Sequence, residues 1–130
     1  MTKDATYPVI DLMESQKKIK NKGGTMRLGS WKCSLSKNTL VYDIYGKSNI
    51  SERHRHRYEF NNKFSKIIFS ESFKPSGINP DTGLIEIIEL KDHPWFIGVQ
   101  FHPEYKSTVS EPHPLFVSFV NAALTYSKSK

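Results

Sequence analysis

Leu84-Ile85-Glu86-Ile87-Ile88-Glu89-Leu90 reads as the clearest strand of the chain. Branched apolar residues recur there without a glycine or proline. Asn79-Pro80-Asp81-Thr82-Gly83 stands just before it and holds the residue types that favour a turn. Ahead of that turn, Phe73–Ile78 predicts another strand. After Leu90, Lys91-Asp92-His93-Pro94 predicts a second turn, and Trp95–Phe101 a buried strand. Three extended runs joined by short turns predict an antiparallel meander.

The third run leads into Val99-Gln100-Phe101-His102-Pro103-Glu104-Tyr105. Side chains two apart on an extended chain point the same way, which puts His102 beside Glu104. A carboxylate beside an imidazole fixes its tautomer and stabilises its protonated form. That is the base-and-orienter half of a nucleophilic triad, although a purely structural pair would have the same spacing. The one cysteine, Cys33, lies in Trp31-Lys32-Cys33-Ser34-Leu35 without flanking glycines and reads as a small buried apolar residue.

Towards the N-terminus, residues 1–24 read as a loop, with an apolar patch at Pro8–Met13, a basic run at Lys17–Lys22 and a closing Gly23-Gly24. So long an opening segment without periodicity suggests a chain that begins inside a domain. Thr25–Ser34 predicts a strand with Met26, Leu28 and Trp31 on one face. Thr39–Tyr45 predicts a helix with Leu40, Val41, Ile44 and Tyr45 at helical spacing and Gly46 as its stop. Ser51–Asn61, read as extended, puts Arg53, Arg55 and Arg57 on one face and His54, His56 and Tyr58 on the other. Asn62–Ser70 predicts a short helix with Phe64, Ile67 and Ile68 inward. Beyond Pro112 and Pro114, a C-terminal helix is predicted with Leu115, Phe116, Phe119, Val120, Ala123 and Leu124 packed on the sheet.

At 130 residues, 37% of them hydrophobic and 25% charged, the chain fits one globular domain. No apolar run approaches the roughly 20 residues of a membrane span. A single cysteine excludes an internal disulfide framework, and a reducing, intracellular compartment is expected. The net charge of +6 is uneven: residues 1–63 carry 13 Lys/Arg against 6 Asp/Glu, and residues 64–130 carry 6 against 7. A basic half can face phosphate, RNA or an acidic partner, with the Arg53-His54-Arg55-His56-Arg57 run as a nucleic-acid contact; a solvated face with a lysine-rich loop is the plainer reading, since the aromatic and glycine signatures of RNA-binding modules are absent. His54, His56, His93 and His102 lack zinc-site spacing, so no metal site is expected.

Gly23-Gly24-Thr25-Met26-Arg27-Leu28-Gly29, Glu52-Arg53-His54-Arg55-His56-Arg57-Tyr58-Glu59 with Asn61-Asn62, His93-Pro94-Trp95-Phe96, Gln100-Phe101-His102-Pro103-Glu104 and His113-Pro114-Leu115-Phe116 together resemble the CTP synthase family. The order matches the last part of its glutaminase domain, a class I glutamine amidotransferase, from about Tyr7 to about Ala123. The resemblance implies an α/β fold: the C-terminal portion of a flavodoxin-like, three-layer domain, with a mixed sheet, an antiparallel meander and a C-terminal helix. Residues 25–130 would be that portion and residues 1–24 a loop interior to the parent domain. It implies His102 as triad base, Glu104 as its orienter and Arg57 as a contact to the substrate glutamine. Pairing of Arg57 with Glu52 or Glu59 is the plainer alternative, and Arg53 and Arg55 read as structural or interdomain residues.

By the same resemblance, the whole enzyme is a cytoplasmic homo-oligomer. It hydrolyses glutamine and passes ammonia to a synthetase domain, which aminates UTP using ATP and Mg²⁺; this chain itself would carry no cofactor. The family's nucleophilic cysteine, in a glycine-flanked elbow, and its glycine-rich oxyanion loop have no counterpart in these residues. The isolated chain is therefore expected to be inactive, marginally stable and prone to associate. The alternative is a non-catalytic fragment that partners an amidotransferase domain. Nucleic acid and membrane are not expected as partners.

Overall fold

The meander forms where the turns predict it. In the computed structural model, which describes residues 5–12 and 26–130, β5 (Phe73–Ile78) pairs antiparallel with β6 (Ile85–Leu90), and β6 with β7 (Ile97–Val99). The turn between β5 and β6 is built by Asn79. Its side-chain oxygen accepts from the N–H groups of Asp81 and Thr82, both at 2.9 Å, and its amide donates to the Lys32 carbonyl. β7 is shorter than the predicted Trp95–Phe101 strand and only half-buried, because it lies at the sheet edge with β6 as its one neighbour. Phe96, expected to be buried there, is exposed.

β2 (Arg27–Leu35) and β3 (Asn49–His56) complete a five-stranded sheet of order β3-β2-β5-β6-β7, in which every pairing is antiparallel. A separate two-stranded sheet joins β1 (Ile10–Leu12) to β4 (Tyr58–Phe60). The loop reading of residues 1–24 thus fails at Ile10–Leu12. Backbone pairing with a segment about fifty residues away leaves little local signature. Gly23-Gly24, the lysine run and the predicted strand start at Thr25 lie outside the described residues.

The helix predicted over Thr39–Tyr45 is α1 (Leu40–Tyr45). The Thr39 hydroxyl caps its start, and Gly46, at φ 63°, adopts the left-handed conformation that ends it. The buried Glu89 carboxylate accepts from the N–H groups of Leu40 and Val41, at 3.0 and 2.8 Å, tying α1 to β6. Cys33, Leu35, Val41, Ile50, Ile87, Phe101 and Leu115 form the apolar core between the sheet and its helices.

Gly77 belongs to that core because it has no side chain. A Cβ there would lie 2.7 Å from Ile87 Cγ1 and 2.8 Å from Cys33 Sγ. Both neighbours are fully buried. Gly77→Ala is expected to destabilise the fold by about 1–3 kcal/mol through overpacking, readable as a lower urea midpoint.

Three expectations about facing are corrected. On β2, Leu28 is exposed and Arg27 is buried, because Arg27 has charged partners inside. Ile67 is exposed in the short helix α2 (Ser65–Ile68), which follows a 3₁₀ turn at Asn62–Phe64. The C-terminal helix exists as α3 (Pro114–Lys128), but only Leu115 of its apolar stripe is buried. Phe116, Phe119, Val120 and Leu124 are exposed, since α3 packs mainly against α1, puts Leu115 into the core and sets Phe119 edge-on to Trp95 in the turn before β7.

Candidate active site

β7 runs through Gln100 and Phe101 into His102, and Pro103–Lys106 then forms a 3₁₀ turn that carries Glu104. The turn, rather than strand alternation, brings the two side chains together. His102 Nδ1 lies 2.6 Å from Glu104 Oε1. An ionised carboxylate can only accept, so Nδ1 carries a proton, and in the neutral ring Nε2 then holds the lone pair. The hydrogen bond from His102 holds the Glu104 carboxyl below the usual carboxylate range, which keeps it ionised. The Tyr105 ring stacks on the imidazole at 5.1 Å and 20°. The side chains are 35% and 54% exposed, and exposed ion pairs contribute about 0–1 kcal/mol. The pair therefore adds little to stability and presents a basic nitrogen to whatever covers this face.

β3 supports the segment from below. The His102 N–H donates to the Arg53 carbonyl at 2.8 Å. Gln100 is bonded to two strands: its N–H donates to the Glu86 carbonyl and its side-chain amide to the Ile85 carbonyl, both on β6, and its Oε1 accepts from the Phe60 N–H of β4. Arg57 occupies the bend between β3 and β4 and is half-buried. The structure brings His102 and Glu104 into contact. Arg57 is joined to neither by a hydrogen bond or ion pair among the described residues. Pairing of Arg57 with Glu52 or Glu59 is not found either: Glu52 is bonded to Tyr45 and His113, and Glu59 to Arg27.

The alternation predicted for Ser51–Asn61 holds through His56 and breaks at Arg57. Arg53 and Arg55 are exposed and His54 is buried, but Tyr58, placed with the histidines, is exposed. Beneath the site lies a polar network the sequence reading missed. Arg27 donates to Glu59 at 3.4 Å and to Glu86, and its guanidinium covers Trp31 at 4.4 Å. His56 Nδ1 donates to the Tyr58 carbonyl at 3.1 Å, which leaves its Nε2 to accept from His54 Nδ1 at 2.7 Å.

Burial, reinforced by the Arg27 charge, lowers His54 to about 3 and His56 to about 4. In the unfolded chain both imidazoles take up protons near pH 6.5. The folded state binds fewer protons below that pH, so the histidine contribution to stability is lost as pH falls from about 6.5 towards 4. The change in stability between pH 7 and pH 5, read from urea melts, is expected to be less unfavourable in His56→Asn than in the unsubstituted protein.

Cys33 is buried beside Ile87, and burial pushes its thiol up to about 12. A thiol held protonated in this way is inert as a nucleophile. No group of three or more His, Cys, Asp or Glu side chains among the described residues is arranged to hold a metal ion. No described helix is long and apolar enough to cross a membrane.

Residues 1–122 match the class-I glutamine amidotransferase family, and the chain belongs to it. Curated relatives that it resembles include CTP synthases. It is 62% identical over 127 residues to a CTP synthase from Christiangramia forsetii, covering 98% of this chain and 23% of that protein. It is 62% identical over 126 residues to a CTP synthase from Flavobacterium psychrophilum, covering 97% and 24%. The Trypanosoma brucei CTPS glutaminase domain with bound acivicin superimposes with a TM-score of 0.84 at 30% identity, covering 95% of this chain and 48% of that one. The chain thus spans about a quarter of the length of these curated relatives and about half of the glutaminase-domain structure.

Proposed function

We propose that this chain is the C-terminal part of the glutaminase domain of a CTP synthase, with residues 25–130 forming that part and residues 1–24 lying inside the same domain. His102 acts as general base through Nε2, Glu104 fixes its tautomer, and Arg57 holds the α-carboxylate of glutamine through paired hydrogen bonds. The 2.6 Å hydrogen bond from His102 Nδ1 to Glu104 is the observation that carries this reading, because it leaves Nε2 free to take a thiol proton.

The thiol belongs to a cysteine contributed from outside these residues. It attacks the glutamine amide carbon, and the protonated His102 returns its proton to the leaving ammonia. Water then hydrolyses the thioester with His102 again as base. In the whole enzyme, the ammonia serves ATP- and Mg²⁺-dependent amination of UTP to CTP in a separate synthetase domain. The whole enzyme is proposed to be a homo-oligomer in the cytoplasm.

The exposed apolar stripe of α3 supports the same reading, and it supports the non-catalytic alternative equally, because both require the rest of an amidotransferase domain as partner. The test is to fuse this chain behind the amino-terminal half of the Christiangramia forsetii relative's glutaminase domain. Ammonia release from glutamine by the fusion, and none by the 130-residue chain alone, is the expected result. A soluble, folded fusion without glutaminase activity would favour the non-catalytic alternative. Activity in the lone chain would overturn the half-site.

A further inference from the structure

Glu104 sits on a short exposed turn, and an orienter is useful only if the turn stays put. Misplacing a reacting group by 1 Å can cost about a hundredfold in rate. Two contacts pin this turn to neighbouring residues of β3. At its start the His102 N–H donates to the Arg53 carbonyl. At its end Lys106 Nζ donates to the Ser51 carbonyl and stands 3.7 Å from Glu52 Oε2.

Glu52 is 3% exposed, and its two oxygens have different surroundings. Oε1 accepts from the Tyr45 hydroxyl at 3.1 Å and from His113 Nε2 at 3.2 Å. His113 Nδ1 accepts the Leu115 N–H at the start of α3, so its proton is on Nε2 and points at Glu52. Oε2 is buried without a hydrogen bond, and Lys106 is the cation that faces it. Burial alone would raise the Glu52 carboxyl, but the hydrogen bond from His113, then Lys106 and Tyr45, hold it below the usual range. A buried carboxylate is costly unless it is paired, so the lysine has a reason to stay. One carboxylate on β3 thus fixes both Lys106 and His113, the far ends of the segment that follows His102.

We propose that Lys106 and Glu52 are positioning residues for the His102–Glu104 pair, a latch that holds the Glu104 turn against β3. The proposal rests on the reading of that pair as base and orienter, but it is tested without catalysis. In the chain labelled with ¹⁵N-histidine, the hydrogen-bonded His102 Nδ1 proton is followed by NMR and assigned by its disappearance in Glu104→Ala. In Lys106→Met its exchange with water is expected to quicken at least tenfold, or the signal to vanish, while the amide spectrum stays dispersed. Lys106→Arg, which keeps charge and donors, is expected to restore it. Glu52→Gln, which keeps an acceptor for Tyr45 and His113 but loses the charge facing Lys106, is expected to weaken it as Lys106→Met does.

An unchanged exchange rate in Lys106→Met would overturn the latch, as would loss in Lys106→Arg equal to that in Lys106→Met. A wild-type spectrum with no resonance sensitive to Glu104→Ala would overturn the pair itself, and the latch with it. Loss of glutaminase activity in the fusion would leave these spectra untouched, so the two failures are distinguishable.

Discussion

Arg27→Met is expected to destabilise the fold by about 3–5 kcal/mol, the cost of leaving buried charges without their partner. Arg27 is 2% exposed and holds two buried carboxylates, Glu59 and Glu86. Burial raises both carboxyls and Arg27 opposes it. Methionine keeps most of the aliphatic stem against Trp31 but removes the cation that bridges the two acids. Their pKa values then rise further, and the folded variant retains protons that the unfolded chain releases above its ordinary carboxyl range. Stability of the variant relative to wild type therefore improves as pH falls from 7 towards 5. The histidines act in the same direction, because Arg27 helps to hold His54 and His56 neutral, and without it acid costs them less. Urea melts of both proteins at pH 7 and pH 5 check this. A deficit below about 1 kcal/mol at pH 7, the scale of an exposed ion pair, would show that Glu59 and Glu86 do not need the arginine. A deficit that does not shrink at pH 5 would show that they stay ionised without it.

What was legible in the sequence was local. The turns at Asn79–Gly83 and Lys91–Pro94 bracket β6 because their backbone preferences act over a few residues. Thr39 and Gly46 bracket α1 for the same reason. Leu28 and Arg27 show where this ends. Alternation with Met26 assigns Leu28 to the interior, but the acids that hold Arg27 inside lie 32 and 59 residues away, beyond any local pattern. The His102–Glu104 contact was predicted correctly for an incomplete reason, since a 3₁₀ turn rather than strand alternation closes it. Glu52 had a faint signal: alternation along β3 puts it on the same face as Ile50 and His54, so a carboxylate was due inside. Its partners Lys106 and His113 come from another part of the chain and left no trace. The apolar stripe of α3 was visible, but a stripe does not say what covers it, and in this chain only Leu115 of it is buried.

In the active fusion, His102→Ala is expected to lower kcat by about 10³–10⁴-fold, the upper range for loss of a positioned general base. Glu104→Gln tests the orienter separately. A glutamine side chain can turn its amide towards Nδ1 and donate, which moves the imidazole proton to Nε2 and leaves no lone pair for the thiol. The same substitution logic in a serine-protease triad costs about 10⁴ in kcat, and a loss of about 10²–10⁴ is expected here. Arg57→Ala should behave differently. It removes a hold on the substrate rather than a proton acceptor, so KM is expected to rise about ten- to hundredfold with kcat much less affected. Cys33→Ala should leave both constants within about twofold, since burial holds that thiol protonated at about 12, outside the chemistry. Single-turnover and steady-state kinetics of the four variants separate these roles. If His102→Ala and Glu104→Gln retain wild-type kcat, the pair is structural, and the base must come from elsewhere in the domain.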